Sequence, residues 1–230
     1  MGSTTDDEHA LPTLLAPALT EDCRQVLLVT VVDDTAAKGE LRLLARESAA
    51  DAWRQDGEAI PVTIGKKGLA WGAGEHGAIP KPDGLRVKQE GDKCSPAGVF
   101  RVPFAFGTHG AECIGWLRMP YRALTPTVIG VDDPASKYYN QIVDGAVVER
   151  DWDSNEAMIR HDELYEWGAF IAHNPEAAPG GGSCIFIHLW PDGGKPTSGC
   201  TAMSAENLRR VLGWMDPAME PRLVQAVEGW

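Results

Sequence analysis

The residues best equipped for chemistry lie in one stretch, IFIHLWPDGGKPTSGCTAMS, from Ile185 to Ser204. His188 ends an apolar run, a polar loop follows, and Cys200 comes next with Gly199 immediately before it. A cysteine attacks as its thiolate, and an unperturbed thiol of pKa ~8.5 is mostly protonated at neutral pH. A histidine that meets it in space takes that proton, and the pair then supports acyl transfer. Gly199 allows a tight backbone and frees the N–H groups around Gly199, Cys200 and Thr201 to face an oxyanion.

Strands and turns must position these groups. QVLLVTVVD (25–33) and GELRLLAR (39–46) predict a hairpin. AIPVTIGKKGLAWG adds a strand and a Gly-rich turn, and GVFRVPFAFG, interrupted by proline, reads as an edge or bulged strand. YEWGAFIAHN and SCIFIHLW are further strands. SAENLRRVLGWM predicts a helix capped by Ser204, with Asn207, Leu208, Val211, Leu212 and Met215 on one side and Asp216-Pro217 as the stop. SNEAMIRHDELY predicts a short helix capped by Ser154, and PRLVQAVEGW a final edge strand. On this reading Cys200 opens the turn into the Ser204-capped helix, whose aligned dipoles would favour a thiolate.

The fold class is therefore mainly β, a β-rich α+β domain over residues 23–230. Residues 1–22 are expected to be a flexible arm or an expression remnant, since the chain opens MGS and is Ala/Pro/Thr-rich from Leu11 to Thr20. The formal net charge of -12 argues against a nucleic-acid or anionic-membrane surface. No apolar run approaches the ~20 residues that span a bilayer. No signal peptide is visible, which leaves a cytoplasmic protein or a chain that begins after a removed signal. The five cysteines show no CxxC spacing, and Cys184 and His188 on one strand would lie about 13 Å apart, too far to share a zinc ion. No metal site is expected, and Cys184 reads as a packed, inert thiol.

Several ordered blocks resemble one family. IFIHLW…PTSGCTAMS is similar to the signature of the L,D-transpeptidase (YkuD-like) catalytic domain, in which a strand histidine precedes a Ser/Thr-x-Gly-Cys motif. KQEGDKCSPAGVF (88–100), DDPASKYYNQIV (132–143) and DWDSNEAM (151–158) are similar to further blocks, so the likeness runs from about Val62 onward. The resemblance implies a β-sandwich or barrel with a few short helices. It implies Cys200 as nucleophile, His188 as base and the Leu189 carbonyl as the group that fixes the imidazole tautomer. Thr197 aligns with the leading Ser/Thr. Ser198 replaces a histidine common at that place and Ala202 replaces Arg or Asn, which bears on acceptor choice. Thr197 and Ser198, with Tyr139 and Asn140, are the candidate substrate-binding residues, although turn and core packing account equally well for Tyr139 and Asn140.

The implied reaction is attack on the L,D bond of a peptidoglycan stem peptide. D-alanine leaves, a thioester forms, and an acceptor amine completes a 3-3 cross-link. With water as acceptor the enzyme would be an L,D-carboxypeptidase. No cofactor is implied, the expected partner is the stem peptide, the expected state is a monomer, and the expected place is the periplasm or cell envelope. A wall-binding module that kept the fold without catalysis is the rival of a different class. A sortase-like enzyme lacks its TLxTC-type motif here, and papain-like and NlpC-type hydrolases place Cys before His. Glu90 and Asp92 read as loop organisers, Cys94 as a bystander, His161 as a solvated helix residue, and Trp152, Trp167, Trp190 and Trp214 as core or groove packing.

Overall fold

Runs rich in Val, Leu and Ile become strands, and the turns between them carry Gly, Pro and Asp. The computed structural model describes residues 11–191 and 193–230. The strands, in chain order, are β1 Gln25–Val31, β2 Lys38–Ala45, β3 Arg54–Gln55, β4 Ile60–Thr63, β5 Leu69–Trp71, β6 Ser95–Arg101, β7 Ala105–Gly107 and β8 Tyr121–Ala123. They continue with β9 Val128–Val131, β10 Gln141–Asp144, β11 Asn155–Ala157, β12 Trp167–Phe170, β13 Phe186–Leu189, β14 Thr201–Met203 and β15 Arg222–Val227. The α-helix is α1, Ala205–Trp214. The protein is thus mostly β, as its sequence predicts.

The main sheet runs β5-β6-β15-β1-β2-β4-β14-β13-β12-β7-β8, with β3 on β2. A separate three-stranded sheet has the order β10-β9-β11. The β1–β2 hairpin is antiparallel, from Gln25 opposite Ala45 to Thr30 opposite Glu40. Every residue of β1 is buried. Its alternation explains how: Leu27, Val29 and Val31 enter the main core, while Val26 and Leu28 enter a second cluster on the opposite face.

Four local expectations are corrected. The last strand, β15, is interior: it pairs parallel with β1 and antiparallel with β6. Burial of all but the last of its residues marks a strand covered on both faces. GVFRVPFAFG is neither one edge strand nor one bulged strand. Pro103 lacks an N–H for the ladder, and the run splits there into β6, which serves β5 and β15, and β7, which serves β8 and β12. The segment 154–165 is not a helix. It gives β11, whose pairing to β9 overrides local propensity, and then turns. Ser154 caps no helix there and donates its hydroxyl to Asp132 Oδ1 at 2.6 Å. His161 is accordingly an exposed turn residue.

The fourth concerns the N-terminus. Residues 1–10 of the expected arm lie outside the described residues. Residues 11–22 belong to the domain: Leu15 and Cys23 are buried in the second cluster, and the Thr13 N–H donates to the Trp230 carbonyl at 2.8 Å. α1 follows its sequence signals. Ser204 accepts from the Asn207 N–H, and Leu208, Val211 and Leu212 are buried. Among the described residues no helix is long and apolar enough to cross a membrane.

Candidate active site

Strands β13 and β14 are parallel neighbours, with His188 in register with Ala202. Carried two residues back, that register sets Cys200 beside Phe186, and the Phe186 N–H donates to Cys200 Sγ at 3.4 Å. Side chains two apart on a strand share a face, so His188 emerges on the side where Cys200 lies. The connection between the two strands is the loop 190–200.

That loop is fixed from beneath. The Thr197 N–H donates to the Ile64 carbonyl and the Lys66 N–H to the Thr197 carbonyl, each at 2.9 Å. The Thr197 hydroxyl donates to the Cys200 carbonyl at 2.6 Å and accepts from the Gly199 N–H at 3.0 Å. Ser95 is fully buried; its hydroxyl donates to the Gly199 carbonyl at 2.6 Å and accepts from the Gly65 N–H at 2.9 Å. A Cβ on residue 199 would come 3.1 Å from the Cys94 carbonyl oxygen and 3.2 Å from Ile185 Cδ1, a tight fit, and the φ of +155° there also favours glycine.

Cys200 is 9% exposed, and its thiol donates to the Cys184 carbonyl at 3.6 Å. Burial, and then the nearby Glu156 charge, push the thiol up to about 12. His188 is 4% exposed, with Nδ1 2.6 Å from the Leu189 carbonyl oxygen. A carbonyl only accepts, so Nδ1 carries the proton and Nε2 the lone pair. Burial lowers the imidazole to about 4 despite that bond. Both shifts favour neutral forms, and no hydrogen bond joins Cys200 to His188. The helix dipole does not help the thiol, because β14 stands between Cys200 and α1.

The two side chains open on a cleft of about 620 Å³, also lined by Ser198, Glu156, Arg160 and Tyr165. The Tyr165 ring meets the His188 ring edge-on at 5.2 Å, and its hydroxyl donates to Glu156 Oε1. Ser198 is exposed on the rim. Thr197 lines the cleft too, yet its hydroxyl is committed to the turn.

Other sequence candidates have structural roles; among them Glu90, Cys184 and Gly199 also line the cleft. Tyr139 and Asn140 do not line the cleft. Tyr139 is 2% exposed and donates to Glu90 Oε2 at 2.6 Å, while Asn140 donates to the His173 and Asn174 carbonyls and accepts from the Cys184 N–H. Both brace the loop ahead of β13. Glu90 and Asp92 hold the neighbouring loop, Asp92 through Lys88 Nζ at 2.7 Å and the Cys94 N–H at 2.8 Å. Thr201 is fully buried within β14, its hydroxyl donating to Gln225 Oε1, and the Gly199 N–H is taken by the Thr197 hydroxyl, so neither residue presents the open oxyanion donor expected of it. The Cys200 N–H has no hydrogen-bond partner among the described residues and is the remaining donor. Cys184 is 6% exposed with its thiol raised well above the ordinary range by burial, and it precedes β13 rather than lying on it.

Sequence reading missed Ser95, Glu156 and Tyr165. Ser95 sits in the KCSPAG block and is invisible as a brace until β6 and the cysteine turn are brought together. Glu156 and Tyr165 were hidden by the helical reading of their segment.

A family model described as the L,D-transpeptidase catalytic domain, YkuD, matches residues 50–224. No curated protein and no solved structure matches the chain. The protein belongs to the YkuD family of L,D-transpeptidase catalytic domains, a family of enzymes that act on peptidoglycan.

Proposed function

We propose that the protein is a cysteine-dependent L,D-transpeptidase that forms 3-3 cross-links between peptidoglycan stem peptides in the cell envelope. The observation that carries this reading is the common cleft: a buried thiol and an imidazole with its Nε2 lone pair directed away from the Leu189 carbonyl open on the same space. With the thiol near 12 and the imidazolium near 4, a resting thiolate–imidazolium pair is disfavoured. The proton therefore leaves Sγ for His188 Nε2 as the sulfur–carbon bond forms.

The acyl carbonyl oxygen takes the negative charge and is met by the Cys200 N–H. Collapse of the adduct breaks the C–N bond, and the departing D-alanine nitrogen takes the proton from His188. A thioester on Cys200 remains. An acceptor amine then attacks it, loses its proton to His188, and releases the thiol. The steps call for no metal or organic cofactor, and the protein works as a monomer on this reading.

The test is incubation of purified protein with defined tetrapeptide-stem muropeptides, followed by mass spectrometry of the products. A 3-3 linked dimer with loss of D-alanine is the expected product. Tripeptide alone would make the enzyme an L,D-carboxypeptidase, and unchanged substrate with retained binding would make it a wall-binding module.

A further inference from the structure

A single hydrogen bond does not fix an imidazole. His188 Nδ1–H donates to the Leu189 carbonyl and so sets the tautomer, but the χ2 torsion of a histidine is a broad well, and the ring can still tilt about that bond. Proton transfer from Cys200 needs Nε2 held toward the sulfur. The second hold on the ring comes from the segment between Glu156 and Tyr165.

Tyr165 is 4% exposed and packs in the same apolar cluster as Cys200. Its ring meets the His188 ring with 5.2 Å between centroids and 83° between planes. Phe106 at 5.9 Å and Phe186 at 5.4 Å back the Tyr165 ring, both edge-on. Phe106 fits because Gly168, paired with His188 across β12 and β13, has no side chain: a Cβ there would collide with the Phe106 ring. The same segment also holds the Leu189 backbone, since the Leu189 N–H donates to the Leu164 carbonyl at 3.2 Å. His188 is thus gripped twice, at its ring and at the residue that accepts its Nδ1–H.

Phenylalanine would serve for packing alone. The Tyr165 hydroxyl adds an anchor, donating to Glu156 Oε1 on β11. Arg160 Nη1 reaches the same oxygen at 3.4 Å, and its guanidinium lies over the Tyr165 ring at 5.3 Å while Nε and Nη2 are tied to Asp162 at 2.8 and 2.6 Å. Burial raises the Glu156 carboxyl above the usual carboxylate range, and the bond from Tyr165 partly offsets the cost of that burial.

We propose that Tyr165, anchored by Glu156, is a positioning residue for the reaction and holds the His188 ring with Nε2 toward Cys200. The inference rests on the transpeptidase reading, in which His188 takes the thiol proton, and Tyr165 acts only through that imidazole.

The experiment follows acylation of Cys200 by a carbapenem with time-resolved intact-protein mass spectrometry. It compares wild type, Tyr165→Phe and Tyr165→Leu, each with His188 present and with His188→Ala. Tyr165→Leu removes the ring and is expected to slow acylation about 10- to 100-fold, up to the cost of a ~1 Å misplacement of a reacting group. Tyr165→Phe keeps the ring, loses the anchor and falls between. The loss is in the rate at saturating carbapenem, with the half-saturating concentration unchanged and labelling complete at long times. With His188→Ala neither substitution slows acylation further, because no ring remains to be held. A Tyr165 that only supports the fold would lower the fraction of protein that labels, or slow both backgrounds alike, and either result would overturn the proposal. If Tyr165→Leu fails to fold, Tyr165→Phe decides, and a wild-type rate in that variant overturns the proposal. An adduct on the wild type whose rate ignores both substitutions removes this inference alone. No adduct on the wild type removes the transpeptidase reading as well.

Discussion

His188 and Cys200 lie on the same face of adjoining parallel strands, with His188 beside Ala202 and Cys200 two residues earlier beside Phe186. The relation is set by backbone register, not by a contact between the two side chains. The thiol hydrogen points instead at the Cys184 carbonyl. Attack therefore requires rotation of the thiol toward Nε2, a side-chain step within a preformed frame.

This arrangement predicts which residues carry acylation. Cys200→Ala abolishes the carbapenem or stem adduct and leaves the fold intact. Cys184→Ala retains the adduct. His188→Ala slows acylation by roughly 10²–10⁴-fold, the usual contribution of a positioned base. Intact-protein mass spectrometry reads all three. An adduct that survives in Cys200→Ala and is lost in Cys184→Ala would assign the nucleophile to the wrong thiol.

Ser95→Ala tests the brace beneath the cysteine turn. The hydroxyl joins the Gly65 N–H to the Gly199 carbonyl in a fully buried place, and alanine leaves both without it. Stability falls by about 1–3 kcal/mol, the usual penalty for an unsatisfied buried group. Acylation slows as well, because Gly199 precedes the nucleophile. Urea denaturation and the acylation rate are the readouts, and an unchanged denaturation midpoint would show that the turn holds itself.

Thiol labelling tests the resting charge state. Cys113 is exposed, whereas Cys23, Cys94, Cys184 and Cys200 are buried. Burial raises Cys200 to about 12 and Cys23 to about 11. A general disulfide reagent at neutral pH is expected to modify Cys113 rapidly and Cys200 slowly, although a substrate-shaped electrophile acylates Cys200. Labelling of Cys200 as fast as Cys113 would mean that a thiolate already exists without ligand.

The sequence made some of this legible and hid the rest for physical reasons. The Ser204 cap, apolar spacing and Asp-Pro stop are local signals, and α1 follows them. The β1–β2 hairpin is equally local. β11 is not: Asn155–Ala157 is a strand only because β9 lies beside it, so a helical reading of 154–165 was the natural local choice and concealed Glu156 and Tyr165. Tyr139 and Asn140 looked suited to a groove because they are polar and aromatic. Their partners, Glu90 and the 173–184 loop, are distant in sequence and put them inside. The mismatch at Cys200 has the same origin. Proximity to a helix in sequence suggested a helix terminus, but Thr201–Met203 pairs with β13 first.

Acid sensitivity follows from three buried imidazoles, His76, His173 and His188. His188 and His173 are each lowered by burial to about 4, from an ordinary value of 6.5, and burial lowers His76 as well. All three resist protonation in the fold as pH drops below 6.5, whereas the unfolded chain takes up protons there. The unfolded state then binds more protons, so stability falls as pH falls through this window and the loss is complete below the folded values. By pH 5 His188 and His173 each contribute a loss of about 2 kcal/mol, taken from the 1.36 kcal/mol that each pH unit is worth. Glu156, raised by burial, acts in the opposite sense, and the exposed carboxylates Asp133 and Asp144, lowered by hydrogen bonds, act only at lower pH. Urea denaturation at pH 7.5 and 5.0 measures the sum, and His188→Gln is expected to reduce the loss by about 2 kcal/mol, the share of that one group. A midpoint that does not move between these pH values would contradict the buried neutral state of these rings.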